Sequence, residues 1–264
     1  MKFFRKKVEP KRDGEVVPGW VLERFKDYSN PAYASLVELM GDSLPRERYG
    51  QMSGKNLVNE LFPKDGAPSV LDVGCGHAKS KPMFLDRNAG TDWNGIEIAE
   101  SYNVADLNNL PEGVKIYDGV NIPFPDKHFD FVFSNQVFEH VRHPEDLLKE
   151  IRRVLKDDGI FFGSLSGGEP YHWHSLFHFS ALGWKTVLQD NGFRLDALYA
   201  GTDALSLLLH HWSANRKQLG PYFRLSILNE LLSREKKQSE KAVLYENAIK
   251  LAFAGHLVFR ATKS

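Results

Sequence analysis

Cysteine is nearly missing from this chain: Cys75 is the single one in 264 residues. That count excludes an intrachain disulfide and any cysteine-rich zinc site, and it suits a reducing compartment. Cys75 itself reads as a small buried residue rather than a nucleophile. Net charge is missing too, because 34 basic side chains balance 34 acidic ones. Without a global field, nucleic acid or another acidic polymer is not expected as the main partner. Long apolar runs are also lacking, and the most apolar stretches, "FDFVFSNQVF" and "DALSLLLHHW", are too short for a membrane span. The opening "MKFFRKKVEPKRDGEVV" turns polar at Glu9, where the apolar part of a signal peptide would follow, so it reads as a solvated arm. A cytoplasmic protein is the expectation.

What is present is an alternation of apolar strands and amphipathic helices from Ser69 onward. "SVLDV", "WNGIEI", "VKIY", "FDFVFSN" and "GIFFGSL" read as five strands, with the helix "HPEDLLKEIRRVLK" between the last two. Pro144 suits the first turn of that helix, Glu145 and Asp146 suit its positive end, and Lys156 its negative end. A further helix from about Ser180, a stop at Gly192 and a sixth strand follow, and "GHLVFRATK" supplies a last strand. Strands this apolar, alternating with helices, predict a mostly parallel sheet covered on both faces. Helices are expected from Pro31 to Gly41 and from Ser53 to Phe62. The domain reading is an amino-terminal arm with helices over 1–62, a core over 63–200, a helical insertion over 201–250 and a closing strand over 251–264.

Parallel sheets of this kind bind ligands at the carboxyl ends of their strands, where "SVLDVGCGHAKS" sits. Gly74 and Gly76 permit a tight turn and a close backbone approach, and a helix after the turn would offer free N–H groups. A dinucleotide fits poorly: the third glycine of G-x-G-x-x-G would fall at Lys79, and Asp72 would face a pyrophosphate. An acid at 72 suits a ligand with a cationic amine. Glu97 ends the second strand, where a carboxylate can accept both hydroxyls of a ribose, and Ile98 can pack on a base. Asp118 and Gly119 end the third strand, placed for an exocyclic amine and a ring nitrogen.

These motifs resemble the class I S-adenosylmethionine-dependent methyltransferases, in the group that includes the ubiquinone and menaquinone biosynthesis enzymes. "VLDVGCGHA" resembles that family's first motif, "GIEIAES" its second, and the run from "YDGVNIPFPDKHFDFVFSNQVFEHV" to "DDGIFFGSL" its central block. Ala78 stands where many members have a third glycine. The resemblance implies a Rossmann-like α/β fold with a mostly parallel seven-stranded sheet, and S-adenosylmethionine as the methyl donor. It places Asp72, Gly74 and Gly76 at the methionine moiety, Glu97 and Ile98 at the ribose and base, and Asp118 with Gly119 at the adenine. Ser134 and Asn135 should close over the methionine part.

Methyl transfer from a sulfonium needs in-line positioning more than acid or base groups, but an oxygen acceptor also has a proton to lose. His140, in the "EHV" element with Glu139, and the loop "YHWHSLFH" with His172, His174 and His178 are the candidate places, with His140 and His174 taken as the catalytic pair. No metal is expected, since His172 and His174 alternate as on a strand but have no evident carboxylate partner, and Gln136 stands at a nearby position that carries an acid in related quinone-pathway enzymes. The function that follows is methylation of a small molecule, at an oxygen of a sugar, lipid-linked or phenolic acceptor. A non-catalytic methyltransferase-like binding or scaffold protein is the alternative. An RNA or protein substrate is disfavoured because "SNQVF" replaces an Asn-Pro-Pro-Tyr type motif. "DALSLLLHHW" leaves room for a lid, a dimer face or a peripheral lipid contact.

Overall fold

A computed structural model describes residues 31–101, 109–170, 172–212 and 239–264, with Ser226, Leu228, Asn229 and Leu232 besides. The amino-terminal arm, Tyr171 and most of "SANRKQLGPYFRLSILNELLSREKKQ" lie outside the described residues.

Among the described residues seven strands form one sheet in the order β3-β2-β1-β4-β5-β7-β6. They are β1 (Ser69–Val73), β2 (Asp92–Ile98), β3 (Val114–Tyr117), β4 (Phe129–Asn135), β5 (Leu155–Ser166), β6 (Phe193–Ala200) and β7 (His256–Lys263). β1 to β5 pair in parallel, while β7 runs antiparallel to both β5 and β6. The described helices are α1 (Pro31–Met40), α2 (Gly54–Leu61), α3 (Lys81–Arg87), α4 (Pro144–Val154), α5 (Ala181–Asp190), α6 (Ala204–Trp212) and α7 (Glu240–Ala252). Among the described residues no helix is long and apolar enough to cross a membrane.

Successive strand residues point to opposite sheet faces, so β1 feeds two cores. Leu71 and Val73 join Ile96, Val132, Phe161, Phe259 and the apolar faces of α4 and α5. Val70 faces the other way and meets Phe133, Phe162, Val258, α2 residues Leu57 and Val58, and Phe84 of α3. α4 buries Leu147, Leu148, Ile151 and Val154, the helical spacing its sequence carries. Ile151 is fully buried, so Ile151→Val should cost about 1 kcal/mol of stability, read as a lower denaturant midpoint at unchanged slope.

Three boundaries differ from the sequence reading. α4 stops at Val154, so Lys156, read as lying near its negative end, belongs to β5. β5 begins at Leu155 rather than near Gly159, because Leu155 pairs with Phe129 of β4 and the Lys156 ammonium meets Asp130 at 2.6 Å. The helix after the glycine turn begins only at Lys81, with turns filling the residues from Cys75 to Ser80. Free N–H groups near the glycines therefore belong to the turn and not to a helix end.

Candidate active site

Asp72 in β1, Glu97 in β2 and Asp118 just after β3 lie at the same end of three adjacent parallel strands. Between them the chain turns with Gly74 at φ 70° and Gly76 at φ 52°. Both are left-handed backbone conformations that glycine adopts without a Cβ penalty. At Gly74 a second constraint acts: an added Cβ would lie 2.4 Å from Val137 Cγ2. Ala78, at the family's third-glycine position, also has a left-handed φ of 55°.

Glu97 braces the turn from the neighbouring strand. Its Oε2 accepts from Gly76 N at 2.8 Å and its Oε1 from Ile98 N at 2.9 Å. A carboxylate has about four lone-pair sites, so acceptor capacity remains for a ligand's hydroxyls. Asp72 is buried and accepts a hydrogen bond from the Ser80 hydroxyl. Burial, with the nearby Glu97 charge and against the Ser80 hydrogen bond, pushes its carboxyl up to about 7. Asp118 is exposed and closes the following loop, accepting from Val120 N at 2.9 Å, Asn121 N at 2.7 Å and Asn121 Nδ2 at 2.6 Å. The Asn121 side chain is the main reason its carboxyl lies below the usual range. Arg153 and Glu150 of α4 hold that loop from below: Arg153 donates to the Ile122 and Phe124 carbonyls, and Glu150 accepts from Ile122 N.

Two cavities meet at Gly74 and Gln136. The larger, about 630 Å³, is lined by Glu97, Ile98, Tyr117, Asp118, Gly119 and His140 among others. The second, about 550 Å³, adds Asp72, Gly76, Ser80, Asn135 and His172. Of the sequence-predicted residues, Asp72, Gly74, Gly76, Glu97, Ile98, Asp118, Gly119, Asn135, His140 and His174 thus line one or the other. Ser134 does not: its side chain is fully buried, away from both. Cys75 is buried, with its thiol close enough that a Cβ on Gly95 would lie 2.6 Å from its Sγ, and burial pushes the thiol up. That is packing, not nucleophile activation.

The histidine loop is not the alternating strand its spacing suggested. His174 is exposed, with φ 59°, while His172 turns inward. His172 Nδ1 pairs with Glu169 Oε1, and Glu169 Oε2 meets His256 Nε2 at 2.6 Å. Burial works to raise Glu169, but the hydrogen bonds from His172 and His256 outweigh it and hold it down to about 2. The hydrogen bond to Glu169 in turn raises His172. The sequence reading named His172 but missed Glu169 and His256. Glu169 lies only three residues ahead of His172, a spacing that was visible, whereas His256 arrives from β7.

On the other side of His172 stands Glu139, fully buried, with Oε1 at 3.8 Å from His172 Nε2. Burial pushes Glu139 up to about 7. His140 and His172 bring their ring centroids to 4.9 Å, and burial lowers His140. The Glu139 carbonyl accepts from Leu176 N at 2.6 Å and Phe177 N at 3.1 Å, which ties the "EHV" turn to the histidine loop.

Residues 71–163 match the family model described as a methyltransferase domain. An uncharacterized protein of Methanocaldococcus jannaschii is 28% identical over 220 residues, covering 78% of this chain and 90% of that protein. A sterol 24-C-methyltransferase of Aspergillus fumigatus is 33% identical over 111 residues, 40% of this chain and 29% of the enzyme, so the chain spans under a third of that relative's length. Among solved structures, geranyl diphosphate C-methyltransferase of Streptomyces coelicolor, crystallised with Mg2+, geranyl diphosphate and S-adenosyl-L-homocysteine, superposes with a TM-score of 0.51. Its identity is 17%, over 89% of this chain and 100% of that one, a likeness of fold.

Proposed function

Since residues 71–163 form a class I S-adenosylmethionine-dependent methyltransferase domain, we propose that this protein moves a methyl group from that donor to an oxygen of a small sugar, lipid-linked or phenolic acceptor. The observation that carries the reading is the ring of Asp72, Glu97 and Asp118 around the Gly74–Gly76 turn, opening onto two joined cavities. Asp72 faces the donor's amino group, Glu97 its ribose and Asp118 with Gly119 its adenine, while Asn135 closes the methionine end. The acceptor enters from the side of Glu139, His140 and His172. That concentration of proton-accepting groups beside the donor supports an oxygen acceptor, which loses a proton on methylation, over a carbon one.

Calorimetric titration with S-adenosylmethionine and S-adenosylhomocysteine tests the donor assignment, and transfer of labelled methyl to glycan, lipid-linked and phenolic acceptors tests the rest. Micromolar donor binding and a labelled ether or ester product are expected. Absence of donor binding by folded protein overturns the reading, and a carbon-methylated product corrects the acceptor.

Donor affinity should also depend on pH through Asp72. The bound ammonium favours the ionised carboxylate, so below about 7 binding must first expel the proton. Affinity should be flat above that pH and weaken below it, by up to about tenfold per pH unit for one proton. Asp72→Asn should bind weakly throughout with a flat profile, and a wild-type profile that stays flat from pH 8 to 5 would remove Asp72 from the donor site. Stability carries the opposite sign, because the folded protein holds this proton more tightly than the unfolded chain, so stability falls from near pH 4 to near 7 as that preference is lost.

A further inference from the structure

Glu139 and His140 each carry a buried atom that the fold leaves unused. Glu139 Oε2 and His140 Nε2 are both buried without a hydrogen-bond partner among the described residues. Each such orphan costs on the order of 1–3 kcal/mol, and neither atom has a role in holding strands or helices together. One ligand atom from each of Glu139, His140 and His172 lies within 4.8 Å of the other two.

The other atoms of the three residues are all engaged. His172 gives its Nδ1 to Glu169, which is anchored in turn by His256 at 2.6 Å, so Nε2 is the nitrogen turned to Glu139. The second ring nitrogen of His140 is hydrogen-bonded to the His174 backbone. The Gln136 amide satisfies its surroundings when its oxygen accepts from Ser164 Oγ and Leu165 N and its nitrogen donates to Glu139 Oε1 at 3.0 Å. Carboxylates and carbonyls that fix the far nitrogen of a histidine, leaving the near one as a lone pair, are the outer shell of metal sites.

We propose that Glu139, His140 and His172 form a two-histidine, one-carboxylate site for a divalent first-row transition cation, at the junction of the two cavities. Two imidazoles among three ligands select a borderline ion such as Zn2+, Fe2+, Mn2+ or Co2+ over Mg2+ or Ca2+. Ligand bonds of about 2.0–2.2 Å bring donor atoms about 3 Å apart, within a side-chain adjustment of the observed span. Three protein ligands leave coordination positions open. His140 and His172 each line a cavity, so an acceptor oxygen is the group that reaches the ion, which would polarise it and lower its pKa. That last role rests on the methyltransferase reading, whereas cation binding does not.

The test is chelator treatment of the full chain followed by titration with Co2+, read as visible d–d absorption, with competition by Zn2+ and metal analysis after gel filtration. One equivalent is expected. His172→Ala and Glu139→Gln should each lower affinity at least 100-fold, and Glu169→Gln, whose carboxylate pairs with His172 and His256, about 10- to 100-fold. His178→Ala, outside the cluster, should leave it unchanged. S-adenosylhomocysteine binding measured on every variant shows that the protein is folded and reports separately on the donor site. Less than a tenth of an equivalent bound by donor-binding protein overturns the proposal, as does Co2+ binding unchanged in His172→Ala. If Glu139→Gln fails to fold, the half-buried His172 and the Glu169 variant still decide the matter.

Discussion

Glu97→Ala should weaken S-adenosylmethionine binding by about 100-fold or more, the largest single effect of any substitution in this site. The carboxylate does two jobs at once. It accepts from Gly76 N and Ile98 N at 2.8 and 2.9 Å, so its removal strands two backbone donors beneath the glycine turn. In the proposed donor site it also offers the remaining lone pairs to the ribose. Hydrogen bonds to a charged group contribute about 1.5–3 kcal/mol each, and a factor of 100 needs only about 2.8 kcal/mol. Calorimetry with a thermal melt on the same sample separates the two jobs, because stranding the donors lowers the melting temperature while losing the ribose contact lowers affinity alone. Glu97→Gln keeps acceptor capacity on one atom only and should fall between the wild type and alanine. Full affinity in both variants would show that Glu97 is a brace and nothing more.

Gly74→Ala is the second large effect. The added Cβ would lie 2.4 Å from Val137 Cγ2, and the residue would be held at φ 70°. Left-handed backbone costs a non-glycine residue about 1–2 kcal/mol, and forcing a methyl into filled space costs about 1–3 kcal/mol more. Gly74 lies where the two cavities meet, so relief of the clash moves the floor of both. Donor affinity should fall at least tenfold and the melting temperature by several degrees. Gly119→Ala is the contrast: φ is 88° but the nearest atom to the added Cβ is Ile98 Cγ2 at 3.5 Å, so only the backbone penalty applies. Val137→Ala introduced beside Gly74→Ala should recover part of the loss, since the two side chains compete for one space. If it recovers nothing, the φ requirement and not the clash decides the position.

The strands were legible because each is a short apolar run ended by glycine, an acid or a turn, and the acids at their ends were legible for the same reason. Ser69–Val73, Val114–Tyr117 and Phe129–Asn135 have the limits their sequences suggest. The late start of α3 was hidden because Gly74 to Ser80 carries no capping hydrogen bond, and Ser80, the residue at the helix start, spends its hydroxyl on Asp72. Ser134 follows a run of apolar residues whose alternation assigns no face to a small polar side chain, and the fold turns it into the core. The histidine cluster was half legible. Glu139, His140 and His172 were visible as candidates, but their convergence depends on Glu169 being pinned by His256 across 87 residues. Local spacing carries no information about such a partner. Calls on the 201–250 segment beyond α6 and α7 fall largely outside the described residues.

The position of β7 sets an order of events during synthesis. Among the described residues β6 pairs with β7 alone, and β7 lies between it and β5. A ribosome that has delivered residues 193–200 has therefore made a strand with no neighbour, and the 201–255 segment must follow before residues 256–263 arrive to fill the gap. Loop closure over that distance is slow compared with pairing of adjacent hairpins. In the interval β5 presents an open edge that another chain could take, so this stretch of translation exposes the nascent protein to edge-to-edge aggregation. His256 opens β7, and Glu169 holds it at 2.6 Å. The same late strand that seals the sheet also completes the brace behind His172, which makes that part of the candidate site among the last parts of the molecule to form.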